Sequence, residues 1–357
     1  MSSISLDKRI DKYKTFIKEF GESDILTSYF NPLRFLKSLT KFKYTCVTDG
    51  KLDNKIEFKK LHESDNKNSD VIFSNIKINK KTIQLGIKKV PLDEMDLYYL
   101  KGEINPGNII KSESDVLTEI YMLKLMSVLL LEKVTNFLPF SYKYYICNNC
   151  HFNNKKILKK FHYMTEIPCL YIISEKADGE FEYFVKKKAK SDKEILSAYL
   201  QIYTALYVIK KYFNIEHQDL HVSNVLFFNV KPDGYWKYKI GKKIIYIRNY
   251  GCLFILWDFG YSMIPEKVYT TSNNKIYKEN KKYILEDQYR ILGGLGDLKK
   301  QFVSVQKKLK DIVKNSKTPR QVVMKVYNLL ISIDPLHEKI DVLESFNTEK
   351  KLKTIKV

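Results

Sequence analysis

Several kinds of segment are missing from this chain of 357 residues. No apolar run reaches the roughly 20 residues that cross a bilayer; the best candidate, Met126 to Leu131, stops at Glu132-Lys133. The opening Met1-Ser2-Ser3-Ile4-Ser5-Leu6-Asp7-Lys8-Arg9 lacks an apolar signal region, so the chain is expected to stay in the compartment where it is made. Cys46, Cys147, Cys150, Cys169 and Cys252 are too few and too scattered for a secreted disulfide scaffold, which points to a reducing interior. There is no internal repeat and no long disordered tract. Acid is short of base, 41 residues against 62, and the net charge of +21 is spread along the chain. Such a field favours acidic partners. An AT-rich genome that loads a protein with Lys, Asn, Ile and Tyr produces the same excess, and specific nucleic-acid binding is not indicated. What is present, at 44% hydrophobic, suffices for a substantial core.

The chemistry is concentrated in two runs. Ile215-Glu216-His217-Gln218-Asp219-Leu220-His221-Val222-Ser223-Asn224-Val225-Leu226 has the His-x-Asp spacing, with an Asn five residues after the Asp, of a phosphotransferase catalytic loop. Asp258-Phe259-Gly260 follows the apolar run Cys252 to Leu256. Phosphoryl transfer from ATP needs a carboxylate that orients the attacking hydroxyl and accepts its proton, together with oxygen ligands that hold magnesium against the phosphates. Asp219 supplies the first; Asn224 and Asp258 supply the second. Either run alone is weak, and the two in this order are specific.

The surrounding pattern predicts an α+β, two-lobed protein-kinase-like fold: a small, mostly β N-lobe with one key helix, and a larger, mostly helical C-lobe. Residues 1–50 read as a basic, helix-compatible extension with Tyr29, Leu33, Phe35 and Leu36 as apolar contacts, 51–176 as the N-lobe and 177–357 as the C-lobe. Lys55 to Leu61, Val71 to Ile78 and Thr82 to Val90 form a three-stranded meander by period and β-propensity, with a tight turn at Asn79-Lys80-Lys81. Ser114 to Val134 has helical spacing. Cys169 to Ser174 is a strand and Ile195 to Tyr212 a long helix. An insertion at 227–257 reads as an extended hairpin or meander, and Asp297 to Lys314 and Thr318 to Ile331 as basic amphipathic helices with solvated faces.

A kinase also needs a third-strand lysine for the ATP phosphates and a helical glutamate to hold it. Lys88, in Leu85-Gly86-Ile87-Lys88-Lys89-Val90, and Glu119, the acid inside an apolar helix, fit those positions; Glu113 is the fallback. Lys89 is expected on the opposite face of the strand. The glycine-rich phosphate loop is absent. In its register stand Ser64, Asn66 and Ser69 before Val71, small residues whose turn would hold phosphate more loosely. Gln218 replaces the arginine that often receives an activation-loop phosphate, so switching by that route is not expected. His221, two residues after Asp219, stands where protein-serine kinases place a lysine and is expected to hydrogen-bond the transferring phosphoryl group. Asp287 is expected to brace the catalytic loop. Cys147-x-x-Cys150 with His151 has half the spacing of a zinc site that His162 or Cys169 would complete, but a single pair is weak and unpaired structural cysteines are expected.

The wording from Glu216 to Leu226, the hairpin insertion, the missing Ala-Pro-Glu and Asp287-Gln288-Tyr289-Arg290-Ile291-Leu292 resemble haspin-like protein kinases. The runs Tyr145 to Cys150, Ser174 to Gly179 and Gly234-Tyr235-Trp236 are similar to those of serine/threonine kinases of large nucleocytoplasmic DNA viruses. The resemblance covers roughly residues 55–335. It implies ATP and magnesium as cofactors, Ser/Thr hydroxyls of protein substrates as acceptors, a hinge near Glu175 that contacts adenine through its backbone, and a place inside the host cell, in its cytoplasm. Two other readings use the same residues: a small-molecule phosphotransferase of the aminoglycoside or choline kinase type, and a catalytically silent scaffold.

Overall fold

The structure, a computed structural model, describes residues 5–20, 51–52, 56–57, 60–62, 69–78, 80–101, 115–152, 154–265, 285–293, 295, 299–336 and 340–352. The elements in chain order are α1 (Leu6–Phe20), β1 (Lys51–Leu52), β2 (Ile56–Glu57), β3 (Lys60–His62), β4 (Asp70–Ile78), β5 (Lys81–Pro91), α2 (Glu94–Lys101), α3 (Asp115–Leu131), β6 (Ser141–Cys147), α4 (Lys155–Lys160) and β7 (Cys169–Glu175). Next come β8 (Gly179–Glu180), α5 (Asp192–Phe213), β9 (Val225–Asn229), β10 (Tyr235–Ile240), β11 (Lys243–Arg248), β12 (Cys252–Leu256), α6 (Glu286–Arg290), α7 (Val303–Lys314), α8 (Pro319–Ile333) and β13 (Val342–Asn347).

The first half folds around an antiparallel sheet in the order β3-β4-β5-β7-β6. The expected meander is its left-hand part; β6 was not expected as a strand and completes the other edge. Alternation of buried and open positions along β4 shows one face covered, whereas β5 is buried continuously from Leu85 to Pro91 because it is central and covered on both sides. Lys80, at φ 66°, turns the chain between them. Helix α3 is apolar around most of its circumference, and every residue from Val116 to Leu130 is buried, Glu119 and Lys124 included. It contacts β6 on one side and α1 on the other. The amphipathic α1 lays Leu6, Arg9, Ile10, Tyr13 and Phe16 inward; Tyr13 stacks on Phe140, and Phe16 on Tyr142. The other contacts expected of the N-terminal extension, Tyr29 to Leu36, lie outside the described residues.

The second half is built on α5, which starts at a capping box of Ser191 and Glu194 and ends at Asn214 in the left-handed conformation. Helices α6, α7 and α8 and strand β12 pack on it. The insertion is a hairpin within a hairpin: β9 pairs with β12, and β10 with β11 between them. Gly241, at φ 62°, makes the inner turn, and a Cβ there would lie 2.3 Å from the Arg320 guanidinium. The unexpected β13 runs parallel to β10.

The cysteines depart from expectation. Cys147 faces Cys169 across the β6–β7 ladder, but it is Cys150, just beyond β6, that is disulfide-bonded to Cys169; Cys147 and Cys252 are buried outside any disulfide. The turn after β6 brings them together: the Cys150 amide donates to Ile167 O at 2.8 Å. Among the described residues no group of three or more His, Cys, Asp or Glu is placed to hold a metal ion, and no helix is long and apolar enough to cross a membrane.

Candidate active site

Lys88, Glu119 and Asp258 meet although they lie far apart in sequence. Lys88 Nζ is 2.8 Å from both Glu119 carboxylate oxygens and 3.0 Å from Asp258 Oδ1. Burial disfavours the Lys88 charge, yet Asp258 and Glu119 together raise its pKa above the ordinary value. Burial pushes the Glu119 carboxyl up to about 7 against the pull of Lys88. Burial works the same way on Asp258, but there Lys88 prevails and holds the carboxyl below its usual range. Of the two acids, Asp258 therefore keeps its charge more firmly. Its backbone is left-handed at φ 58°, an uncommon conformation that aims the carboxylate back at Lys88 while Phe259 is fully buried against the His217 ring, 5.0 Å between centroids.

The Asp219 loop is fastened from behind. Asp287, buried at the start of α6, accepts from the backbone amides of His217 at 2.7 Å and Gln218 at 2.8 Å, as expected for a bracing aspartate. His217 Nε2 lies 2.8 Å from Trp257 O, and the Trp257 amide donates to Asn224 O at 2.8 Å, so the loop and the Asp258 segment are joined at two points. Gln218, at φ 66°, donates from its side chain to Glu216 rather than turning to solvent, and its carbonyl accepts from Arg290 at 2.5 Å. Tyr199 and Tyr203 of α5 donate to backbone carbonyls of Ile291 and Gln288 and so hold α6 in place.

Asn224 Nδ2 donates to Asp219 O at 2.8 Å and reaches Asp219 Oδ2 at 3.3 Å, which leaves its Oδ1 directed away from the loop. Asp219 is 41% exposed at its side chain, and His221 Nε2 stands 3.8 Å from Asp219 Oδ2. His221 Nδ1 accepts from the Ser223 amide at 3.2 Å, so the ring proton sits on Nε2, toward Asp219.

These groups line one cleft of about 1540 Å³. Its volume exceeds the roughly 300–1,000 Å³ of an ordinary small-molecule site and leaves room for a second reactant. Lys88, Glu119 and Glu175 come from the sheet half, Asp219, His221 and Asn224 from the helical half, and Asp258 lies between. Ser69 and Val71 are at the rim, Val71 directly opposite Lys88 in the β4–β5 ladder. Ser64, Asn66 and the fallback Glu113 lie outside the described residues. Glu175 ends β7; its side chain is turned away into an ion pair with Arg9, and the chain beyond it is tied down by Asp178 N donating to Phe227 O at 2.8 Å. Asp115 and Lys160 are among the lining residues not expected from the sequence. Asp115, in the first turn of α3, has a carboxyl that burial pushes up to about 6, against the opposing pull of Lys160. Only the approach of α3 and α4 to the cleft shows these two residues.

A five-stranded sheet with one buried helix, a mainly helical second half and this cleft between them make a fold of the protein-kinase type. The chain belongs to the family described as Haspin like kinase domain, which matches residues 26–255. The matched span includes Lys88, Glu119 and the loop from His217 to Asn224, and stops three residues short of Asp258. The "Probable serine/threonine-protein kinase 380R" of Invertebrate iridescent virus 6 is 27% identical over 172 residues, which cover 45% of this chain and 31% of that protein.

Proposed function

We propose that the chain transfers the terminal phosphoryl group of ATP to serine or threonine hydroxyls of proteins. One observation carries this reading: the Lys88, Glu119 and Asp258 cluster faces the Asp219 and Asn224 pair across a single cleft. Family membership and the serine/threonine kinase named above point the same way, and disfavour a small-molecule phosphotransferase.

Lys88, fixed by Glu119, holds the phosphates of ATP, and the backbone after Glu175 receives adenine. Asp219, partly exposed at the cleft floor, orients the acceptor hydroxyl and takes its proton. Asn224 Oδ1 and the Asp258 carboxylate are hard oxygen donors, one directed away from its loop and the other held ionised by Lys88, and this pair suits magnesium, which binds through one or two protein oxygens plus phosphate. The cation would neutralise charge on the phosphates. His221, its proton on Nε2 and 3.8 Å from Asp219 Oδ2, would donate that proton's hydrogen bond to the transferring group.

Charge near the cleft departs from the net value. Asp93, Asp96, Asp115, Asp178, Glu180 and Glu182 line it against Lys160, Lys176 and Lys188. Acceptor segments with Lys or Arg beside the hydroxyl are the better electrostatic match, not the acidic substrates that a charge of +21 suggests. The test is transfer from labelled ATP, with magnesium, to acidic and basic Ser/Thr peptides. Transfer to the basic set that disappears in Asp219→Asn, with ATP binding retained, is expected. Full activity of Asp219→Asn would refute the assignment, and preference for the acidic set would refute the acceptor reading.

A further inference from the structure

Helix α1 precedes the residues that the kinase family matches, yet it packs on β6, β4 and α3. Arg9, 2% exposed, uses its whole guanidinium there. Nε donates to Glu175 Oε2 at 2.9 Å, and Nη2 donates both to Glu175 Oε1 and to Leu138 O. Nη1 donates to Asn136 O at 2.6 Å. Glu175 Oε1 also accepts from the Phe140 amide at 2.8 Å, so the carboxylate is held from two directions. The cation lies 5.5 Å from the Phe140 ring centroid and 5.3 Å from that of Phe228. Phe228 belongs to β9, the strand that follows Asn224. Arg9 therefore touches both the strand that leads into the hinge and the strand that leaves the catalytic loop.

The segment it grips is short, and backbone bonds hold its far end. Beyond Glu175, Lys176 N donates to Gln84 O at 3.3 Å, Asp178 N donates to Phe227 O at 2.8 Å, and Asn229 N donates to Asp178 Oδ2 at 2.7 Å. Within this run the Glu175 side chain is the part bound to a buried cation. The helix end that presents Arg9 is itself fixed, because the Leu6 amide donates to Glu344 Oε1 at 2.6 Å on β13.

We propose that Arg9 is a positioning residue for the nucleotide: through Glu175 it sets where the backbone of residues 175–177 stands relative to the adenine. This rests on the phosphotransferase reading. Arginine suits the task because its planar fork meets a carboxylate with two parallel bonds and still has donors for two carbonyls, which a lysine lacks.

The test uses the full chain with Arg9→Lys, Arg9→Met, Glu175→Gln and, as a control, Asp11→Asn, which breaks an exposed ion pair between α1 and Lys81 of β5 without touching the partners of Arg9. Magnesium-ATP affinity by calorimetry, KM for ATP, kcat and the melting temperature are measured on each. Arg9→Met and Glu175→Gln are expected to raise KM for ATP about tenfold with kcat within about threefold, since a displaced binding backbone costs affinity more than chemistry. Arg9→Lys should fall between wild type and Arg9→Met, and Asp11→Asn should keep the wild-type KM. If Arg9→Met does not fold, Arg9→Lys and Glu175→Gln carry the comparison. An unchanged KM in both, or an equal rise in Asp11→Asn, would overturn the proposal, because a helix that merely covers the sheet would act through stability alone. Wild-type protein that neither binds magnesium-ATP nor transfers phosphate would instead overturn the phosphotransferase reading.

Discussion

Replacing Lys88 and Lys89 separately with methionine separates chemistry from stability at two adjacent positions. Alternation along β5 sends the two side chains to opposite faces, and both faces are buried: the residues are 8% and 5% exposed. Lys89 Nζ lies 3.1 Å from Asp70 Oδ2 and 4.4 Å from the centroid of Phe152, and donates to His151 O. Without it the Asp70 carboxylate is buried with no other cation beside it among the described residues. Breaking a buried pair in this way costs about 3–5 kcal/mol. At about 2 °C per kcal/mol for a chain of this size, the melting temperature of Lys89→Met should fall by about 6–10 °C. Lys88→Met strands two acids, but burial already favours the protonated form of Glu119 and Asp258 is 22% exposed at its side chain, so the fold should lose about 1–3 kcal/mol. The activities should reverse that order. Lys88→Met removes the cation aimed at the phosphates and should lower kcat/KM about 10²-fold or more, whereas folded Lys89→Met should transfer phosphate within about threefold of wild type. Scanning fluorimetry and initial rates at a temperature where both variants are folded provide the check. Lys88→Met with near-normal rates, or Lys89→Met that melts like wild type, would refute the reasoning.

Three further outcomes are expected. Asp258→Asn should weaken magnesium-dependent ATP binding about tenfold or more by calorimetry, since the donor loses its charge, while ATP binding without magnesium changes little. Asp287→Asn puts an amide where two backbone N–H groups need acceptors, and should lower kcat about tenfold while KM for ATP stays near wild type in steady-state assays. The Asp115 carboxyl is raised from 3.8 to about 6, so between these values the folded chain holds a proton that the unfolded chain has released. Its contribution to stability is complete below pH 3.8 and is lost as pH rises through about 6; urea titrations across that range should show a shallower decline for Asp115→Asn than for wild type.

Much of the architecture was legible because local pattern and tertiary demand agree. The alternation of Val71 to Ile78, the apolar helix around Glu119 and the insertion between Asn224 and Asp258 all appear close to where periodicity places them, with ends shifted by a few residues. Strand β6 was hidden because Ser141 to Cys147 is aromatic and mixed in period, and β13 because its partner β10 is a hundred residues away. Lys89 lies on the face opposite Lys88, as expected, and that face is buried too: a strand's period gives direction, not what lies there.

By itself, the sequence determined the chemical inventory: which carboxylates, amide and lysine are available, their order along the chain, and the absence of glycine between Leu61 and Val71. These follow from residue identity and short spacing, which need no fold. Only the tertiary structure decided which acids share Lys88, that Cys150 rather than Cys147 joins Cys169, that acid collects around the cleft of a basic chain, and that Arg9 of an otherwise unremarked helix grips Glu175. Those outcomes depend on side chains separated by 19 to 170 residues being driven into contact by burial, where a charge must find a partner or be neutralised, and no local pattern encodes that choice.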